Sequence, residues 1–320
     1  MKELIALKKL KLLVFARDDR SYTVPAARYF LEELGKAADL RVTHAGGRAK
    51  DIVESIDFEP DFIYFNDYLE NGSPIVTGLG ELTVPYAVGL HDLHHRFSIR
   101  KKILQEEGVK YVFTHYRDFF LRWYPEFAMH MRWIPHHANT DVFKDYGLEK
   151  DIGLLLAGAL TEPYYPLRSA VVRRFSGRPE FVLLPHPGYR RIGENESGVR
   201  VGRAYAMELN RAKICLTCDS ALHYTVMKYF EIPACNSLLL APCNQEILDL
   251  GFIPGVHFVS IDEHDFEEKA HYYLEHEDER KKIALNGMRL VHEKHSTRRR
   301  AAEFVEAVRG ILAETSQGSD

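Results

Sequence analysis

The chain has 320 residues, which at roughly 100–200 residues per domain favours two domains over one. It carries 42 Lys and Arg against 46 Asp and Glu, so its formal net charge is −4 and it lacks the basic footprint of a protein that wraps nucleic acid. Its ordinary 46% of hydrophobic residues excludes a disordered tail or a collagen-like repeat, while a local basic site for a phosphorylated small molecule stays compatible with this charge.

The first part of the chain alternates β-rich runs with helical patterns, as the βαβ units of a parallel sheet do. Predicted strands cover residues 11–16, 40–44, 61–65, 85–90 and 109–114, predicted helices cover 26–34, 50–56, 96–107 and 118–123, and residues 133–135 close the series. The turn after the first strand, residues 17–20, reads Arg-Asp-Asp-Arg. It has no glycine-rich GxGxxG fingerprint, which disfavours a NAD-dependent oxidoreductase.

After a linker over residues 135–147 the alternation restarts. Predicted strands cover 151–157, 180–184, 213–218, 237–241 and 257–260, predicted helices cover 167–175, 205–211, 224–232, 245–250, 266–274, 277–293 and 298–312, and residues 314–320 are expected to fray. Two such halves predict an α/β fold of two Rossmann-like domains that face each other across a cleft. Ligands bind such sheets at the carboxyl ends of the strands.

The chain shows no apolar run near the roughly 20 residues that a membrane-spanning helix needs, and no signal-peptide pattern at its start. Its four cysteines are too few for a disulfide scaffold. Cys215 and Cys218 have zinc-like spacing, but they lie in a strand-like apolar run, which favours buried thiols. We therefore predict a cytoplasmic protein without a transmembrane segment, a prediction that is compatible with peripheral contact with a membrane.

Residues 228–240, Lys-Tyr-Phe-Glu-Ile-Pro-Ala-Cys-Asn-Ser-Leu-Leu-Leu, resemble the R-x-F-E-x-x-A-C-G-x-x-L-L segment of retaining GT-B glycosyltransferases. Residues 165–168, Tyr-Pro-Leu-Arg, and the tail over residues 271–299 resemble the CgeB-like (spore maturation protein) group of these enzymes. The resemblance is specific from about Gly158 to Arg299 and weaker before that.

The resemblance implies a GT-B fold and a division of labour along the chain. Residues 1–143 would form an acceptor-binding Rossmann-like domain, residues 151–298 would bind the nucleotide-sugar, and residues 299–320 would form a helix that crosses back to the first domain. The implied activity is a retaining, metal-independent, hexosyltransferase-like transfer of a sugar. The donor is a nucleoside-diphosphate sugar, which is a substrate rather than a cofactor, and the acceptor is a hydroxyl of a glycan, glycoconjugate or protein.

The resemblance also assigns donor-binding residues in the second half. The glutamate matching Glu231 holds the ribose hydroxyls in the family, as a carboxylate that accepts two hydrogen bonds can; the alternative is a surface glutamate. Diphosphate binding needs backbone N–H groups and cations, which helix N-termini and glycine loops supply. The candidates for this task are Gly158, Tyr224 and Thr225 through the backbone, and Arg168, Lys213 and Lys228 through charge, although any one of these cations could instead be a solvated surface residue.

Two histidines are the candidate catalytic residues. His91 directly follows the predicted strand over residues 85–90, where related enzymes carry a histidine that contacts the donor sugar. His223 stands eight residues before Glu231, where the family's E-x7-E pair has its first glutamate, so it could hydrogen-bond a sugar hydroxyl in place of that acid. The cluster of His91, Asp92, His94 and His95 also resembles a metal site, but a loop start does not guarantee ligand geometry, and we predict no metal.

Weaker candidates complete the sequence-based site. Residues 185–189 would form the base pocket, and residues 17–20 and 66–68 are acceptor candidates at strand ends. Two alternative functions stay open. The missing first glutamate favours a catalytically silent nucleotide-sugar or glycan-binding module, and the fold also accommodates a nucleotide-sugar epimerase.

Overall fold

A computed structural model of the chain describes residues 9–18, 21–70, 73–193 and 196–317. These residues divide into two compact units. The first unit comprises residues 9–18, 30–135 and 300–317, and the second comprises residues 21–29 and 136–299. Of the predicted acceptor turn over residues 17–20, the last two residues lie outside the described part of the chain.

The elements alternate between strand and helix over most of the chain. Up to residue 135 they are β1 (Lys11–Phe15), α1 (Ala26–Ala37), β2 (Asp39–Thr43), β3 (Gly47–Arg48), α2 (Ala49–Ser55), β4 (Phe62–Phe65), β5 (Val76–Thr77), a 3₁₀ turn (Leu79–Glu81), β6 (Tyr86–Leu90), α3 (Phe97–Glu106), β7 (Tyr111–Thr114), α4 (Arg117–Trp123), a second 3₁₀ turn (Pro125–His130) and β8 (Met131–Trp133). They continue with β9 (Ile152–Ala157), α5 (Pro166–Phe175), β10 (Phe181–Leu184), α6 (Gly202–Arg211), β11 (Ala212–Leu216), α7 (Lys228–Ala234), β12 (Leu238–Ala241), α8 (Gln245–Asp249), β13 (Val259–Ser260), α9 (Phe266–Glu275), α10 (Glu277–Lys294) and α11 (Thr297–Gln317).

The first unit is built on a six-stranded parallel sheet in the order β2-β1-β4-β6-β7-β8, beside a small β3-β5 pair. Strands β4 and β7 are buried along their whole length, because a parallel sheet is covered on both faces and its strands are continuous apolar runs. Helix α11 supplies part of this core, since its apolar residues recur every three or four positions. The residues it buries among those of the sheet are Ala301, Phe304, Val305, Val308 and Ile311.

The end of α11 differs from the prediction. Residues 314–317, which we expected to fray, continue the helix. Glu314 accepts a hydrogen bond from Arg132 Nη2 at 2.5 Å, and Thr315 Oγ1 donates to the carbonyl of Ile311. The bond from Arg132 attaches the last turn to strand β8 of the same unit, which a charge pattern along one helix does not reveal, whereas the Thr315 bond lies within the helix.

The second unit has a five-stranded parallel sheet in the order β10-β9-β11-β12-β13. Apart from the half-buried Gly153 and Lys213, its central strands β9, β11 and β12 are again buried apolar runs, with helices on either side forming two hydrophobic clusters. All four cysteines are free thiols, and Cys215, Cys218 and Cys235 are buried, as the strand-like reading of this run predicted. Among the described residues, no helix combines the length and the apolar character needed to cross a membrane.

One helix starts later than predicted. The prediction had a helix over residues 224–232, but α7 begins at Lys228, and residues 224–227 form a loop. The backbone of His223 has φ 55°, which breaks the helical path just before this loop. Thr225 is buried, and its hydroxyl donates to Asn244 Oδ1 at 3.3 Å, so a contact with a distant loop holds the segment in place.

Candidate functional site

The carboxyl edge of the second sheet carries a buried arginine between two strand ends. Gly158 follows β9 with φ 122°, and a Cβ at this position would lie 2.8 Å from Arg168 Nη1, so glycine allows the guanidinium to approach the backbone. Arg168 Nη1 donates to the carbonyl of Ala159 and Nη2 donates to Thr217 Oγ1, each at 3.0 Å. The guanidinium also lies 4.1 Å from the ring centre of Tyr165. Arg168 therefore joins the loop after β9 to the end of β11.

Within the described part of the chain, Arg168 has no carboxylate partner for its charge. The side chain is 4% exposed, its Nε atom is buried without a hydrogen-bond partner in the described chain, and no carboxylate of the described residues forms an ion pair with it. A buried charge is costly unless it is paired. A guanidinium has five N–H donors, and the two bonds to Ala159 and Thr217 leave part of this capacity for an anion.

Helix α7 carries Glu231 and Lys228 one turn apart. Lys228 Nζ lies 3.0 Å from Glu231 Oε2, and Glu231 is 5% exposed, so it is not a surface glutamate. The same ammonium lies 4.8 Å from the ring centre of Tyr205 on α6. The role of Glu231 in ribose binding stays a prediction, but its carboxylate and a cation are together in a largely dehydrated place.

Two further side chains interact with this pair, namely Tyr205, which the sequence did not assign to the donor site, and His186 of the predicted base loop. The Tyr205 hydroxyl is buried without a hydrogen-bond partner among the described residues, and burial followed by the charge of Glu231 raises its pKa well above the usual value. His186 lies in the predicted base loop. Burial, then the charges of Lys228 and Arg168, lower its pKa. The sequence offered no signal for Tyr205, because a tyrosine on a helix face is usually a core residue.

The loop after β11 holds His223, which lies 2.9 Å through Nδ1 from Asp219 Oδ2. Asp219 is buried, whereas the His223 side chain is 80% exposed. Asn244 caps α8 by accepting from the backbone N–H of Ile247, and its Nδ2 donates to the carbonyl of His223. Sequence reasoning named His223 but not Asp219 or Asn244, since their partnership depends on how the loop closes.

Three predicted donor residues are placed differently from expectation. Lys213 is the second residue of β11, between positions that pair with Ile152 and Leu154 of β9, so it lies about 10 Å short of the carboxyl edge. The hydrogen bond from Lys281 is the main cause of the lowered pKa of Glu277, and the charge of Lys213 contributes a minor part. Tyr224 and Thr225 are buried in the loop before α7 rather than in its first turn. The structure therefore brings Gly158, Arg168, Lys228 and Glu231 to the carboxyl side of the second sheet, but not Lys213.

The carboxyl edge of the first sheet has its own titratable cluster. His91 follows β6, and its Nδ1 lies 3.6 Å from Asp67 Oδ2 in the loop after β4. The ring of His115, which follows β7, is 4.4 Å from the ring of His91. Burial lowers the pKa of His91 to about 4 and that of His115 to about 3, while burial raises the pKa of Asp67 to about 7. Both imidazoles are therefore neutral at pH 7.

A group with metal-like spacing lies next to this cluster. Ligand atoms of Glu70, Asp92 and His95 are within 4.8 Å of one another. However, Glu70 Oε2 accepts from Arg100 Nη2 at 2.6 Å and lies 2.9 Å from His95 Nδ1. The buried guanidinium of Arg100 supplies the positive charge that a metal ion would bring, so these residues fit an ion-pair network better than a metal site.

The two neutral histidines predict that the first unit is less stable in acid. In the unfolded chain a histidine binds a proton below about pH 6.5, whereas in the folded protein His91 and His115 do so only near pH 4 and pH 3. Between pH 6.5 and 4 the unfolded state therefore binds more protons than the folded state. The free energy of unfolding consequently falls as the pH drops through this range. Asp67 acts in the opposite sense between its unfolded pKa of about 3.8 and its folded value of about 7, and so does Asp92, whose pKa burial raises. Burial also lowers the pKa of His94, so three histidines act against two carboxyl groups.

The melting temperature of the wild type is expected to fall as the pH drops from 6.5 towards 4. We expect His115→Asn to reduce this fall by a few degrees per pH unit, because one proton fewer is taken up on unfolding. The measurement is the melting temperature of both proteins between pH 4.5 and 7.5. His264→Asn is the matched control, because the side chain of His264 is 83% exposed. Parallel curves for wild type and His115→Asn would show that His115 titrates normally.

Comparison with known proteins bears on the fold and on one segment. Residues 168–306 match the family described as glycosyl transferase-like. Among proteins with curated descriptions, none matches the sequence significantly. The matched segment begins at the buried Arg168, and it contains Lys228 and Glu231.

Solved structures match over almost the whole chain. Sucrose-phosphate synthase from Thermosynechococcus elongatus is 13% identical with a TM-score of 0.68, covering 96% of this chain and 100% of its own. HepE of Anabaena, in complex with UDP-glucose, is 11% identical with a TM-score of 0.61 (96% and 99% covered). A glycosyltransferase from Rickettsia africae is 10% identical with a TM-score of 0.59 (96% and 99% covered). The predicted α/β fold is confirmed: the chain has the fold of the GT-B glycosyltransferases, and its residues 168–306 match the glycosyl transferase-like family.

Proposed function

We propose that the protein is a retaining, metal-independent glycosyltransferase that moves a sugar from a nucleoside-diphosphate sugar to an acceptor hydroxyl. The observation that carries the proposal is the buried carboxylate of Glu231, held 3.0 Å from Lys228 on the carboxyl side of the second sheet of a GT-B fold. HepE, which shares this fold, binds UDP-glucose, and this favours a UDP-sugar as the first donor to test.

The second unit would bind the donor through three kinds of contact. The Glu231 carboxylate accepts hydrogen bonds from the ribose hydroxyls. The backbone at Gly158 allows close approach of the diphosphate, and the unpaired charge of Arg168, together with Lys228, stabilises it. These fixed cations stabilise the negative charge of the leaving diphosphate, which a divalent metal ion does in other enzymes. The proposed reaction therefore needs no metal and no cofactor.

In the reaction, the bond between the anomeric carbon and the diphosphate oxygen breaks, and the acceptor oxygen forms a new bond to the same face of that carbon. The acceptor proton passes to the leaving phosphate oxygen, so no side-chain nucleophile is needed. We assign the acceptor to the first unit, whose carboxyl edge carries Asp67, His91 and His115. We also propose that the protein belongs to the CgeB-like subgroup and is cytoplasmic. The acceptor would be a glycan, a glycoconjugate or a protein.

A nucleotide screen followed by product analysis tests this function. The melting temperature is measured with UDP, GDP, TDP and CDP, since a ligand present at a hundred times its Kd stabilises by about 2.7 kcal/mol, or roughly 5–10 °C here. The matching UDP-glucose or other sugar nucleotide is then incubated with and without an acceptor panel, and products are identified by mass spectrometry and NMR. Transfer that needs an acceptor supports the proposal. A sugar altered without an acceptor indicates an epimerase, and tight binding without turnover indicates a silent binding module.

A further inference from the structure

The loop after β11 places a buried carboxylate directly behind an exposed imidazole. Asp219 Oδ2 lies 2.9 Å from His223 Nδ1, with the Asp219 side chain 8% exposed and that of His223 80% exposed. Nδ1 therefore faces the protein, and most of the imidazole surface faces away from it. The arrangement differs from a surface ion pair, in which both partners are solvated and mobile.

The backbone of this loop is held in an uncommon conformation. Ser220 has φ 63° and His223 has φ 55°, both in the left-handed region that residues other than glycine rarely adopt. The Asn244 side chain hydrogen-bonds Asp219, and its Nδ2 donates to the His223 carbonyl at 3.4 Å. Such conformations persist when their surroundings over-determine them, and they cluster at functional sites. The loop is thus fixed through both members of the Asp219–His223 pair.

The pair determines which nitrogen of His223 carries the proton. An ionised carboxylate only accepts hydrogen bonds, so a neutral imidazole facing Asp219 must donate Nδ1–H. The other ring nitrogen, Nε2, then carries a lone pair and can accept a hydrogen bond on the side of the ring away from Asp219. A neutral histidine without this carboxylate would exchange between its two tautomers, and Nε2 would be a donor part of the time.

We propose that Asp219 is a positioning residue that holds His223 in the Nδ1–H tautomer, so that Nε2 accepts a hydrogen bond from a hydroxyl of the donor sugar. The inference rests on the proposed function, because it uses the same donor site. Glutamate, the residue expected at this position, would offer a carboxylate oxygen as acceptor. In the Nδ1–H tautomer His223 offers Nε2 as an acceptor as well, while the negative charge stays on Asp219 on the other side of the ring.

The tautomer is measured directly, without any ligand. In ¹⁵N-labelled protein at pH 7.5, the ring nitrogens of His223, assigned by comparison with His223→Ala, are expected to show the Nδ1–H form. In Asp219→Asn the side-chain amide can donate to Nδ1, so the equilibrium should move towards Nε2–H. A wild-type Nε2–H tautomer, or identical spectra in wild type and Asp219→Asn, would overturn the proposal.

The affinities for UDP-glucose and UDP distinguish a positioning role of Asp219 from a merely structural one. Asp219→Asn is expected to weaken UDP-glucose by about three- to tenfold, the worth of one hydrogen bond, and UDP by less than about twofold. His223→Ala, whose exposed side chain is not needed for folding, should give the same pattern. In the double variant the two losses should not add, because Asp219 acts through His223. Equal weakening of UDP and UDP-glucose, or additive losses, would show that Asp219 only supports the loop.

The control is Asp278→Asn, which removes the same charge from an exposed position in the first turn of α10. It should leave both affinities unchanged. If the wild type binds UDP and UDP-glucose equally well, the sugar contact of His223 is refuted while the nucleotide site stands. If it binds neither, nor any nucleotide in the screen above, the proposed function fails, and this proposal fails with it.

Discussion

Replacing Glu231 by alanine is expected to weaken UDP binding about 10- to 100-fold. The substitution removes a buried carboxylate that would accept hydrogen bonds from the ribose hydroxyls. A hydrogen bond to a charged group contributes about 1.5–3 kcal/mol, which corresponds to this loss of affinity. The fold should survive. Lys228 loses its partner at 3.0 Å, but its side chain is 19% exposed and can reach water. Isothermal titration calorimetry gives the affinity, and the melting temperature reports on the fold.

The ribose assignment is tested with a matched pair of ligands. Wild type should prefer UDP to 2′-deoxy-UDP, and Glu231→Ala should lose this preference, whereas Glu231→Gln, which keeps one neutral acceptor, should fall between them. Glu268→Ala on the exposed face of α9 is the control and should bind UDP as wild type does. If Glu231→Ala keeps both its UDP affinity and its preference, Glu231 does not hold the ribose.

Replacing Arg168 by methionine is expected to weaken UDP by about tenfold or more and uridine by less than about twofold. The guanidinium is buried without a carboxylate partner among the residues that the structure describes, and a diphosphate would supply the missing negative charge. Methionine keeps much of the side-chain volume but removes the charge. The melting temperature of the apo protein should change little, because relief of an unpaired buried charge offsets the lost bonds to Ala159 and Thr217.

The same helix provides the control for this variant. Arg173 is also on α5, but its side chain is 70% exposed and lies 3.6 Å from Glu162, so Arg173→Met should leave UDP binding within about twofold of wild type. A different result would refute the phosphate role. If Arg168→Met lowers the melting temperature by several degrees and weakens UDP and uridine equally, Arg168 only joins the loop after β9 to the end of β11.

The strands and most helices were predictable because each is specified locally. The runs Phe62–Phe65 and Tyr111–Thr114 are dominated by large apolar and aromatic residues and are buried over every residue, as strands covered on both faces are, and they form β4 and β7. The helix over residues 224–232 was wrong at its start, because His223 with φ 55° and the bond from Thr225 to Asn244 override the local pattern. Residues 47–48 and 76–77, which form β3 and β5, were missed, since two-residue strands leave no periodic signal.

The candidate site was predictable only in part, and the reason is again the range of the interactions. Residues 228–240 of the sequence carry the segment that points to Glu231 and Lys228, and these two lie one helical turn apart, so their pairing follows from spacing alone. Lys213 was assigned by charge, but strand register places it short of the carboxyl edge. Tyr205 and Asn244 were missed because the residues that they contact lie in other elements, and Asp219 was missed because its contact with His223 depends on the conformation of the loop that holds both.

The sequence by itself determined the alternation of strands and helices and the segment that resembles a glycosyltransferase, because these depend on periodicity and motifs within short stretches of chain. Only the tertiary structure decided that Arg168 is a buried cation without a carboxylate partner among the residues that the structure describes, and that Asp219 stands behind His223. Burial and hydrogen bonding depend on which distant residues the fold brings together, and no local pattern fixes that. The net charge of −4 is therefore no obstacle to an anionic donor, since the few cations that matter are held in place by the fold.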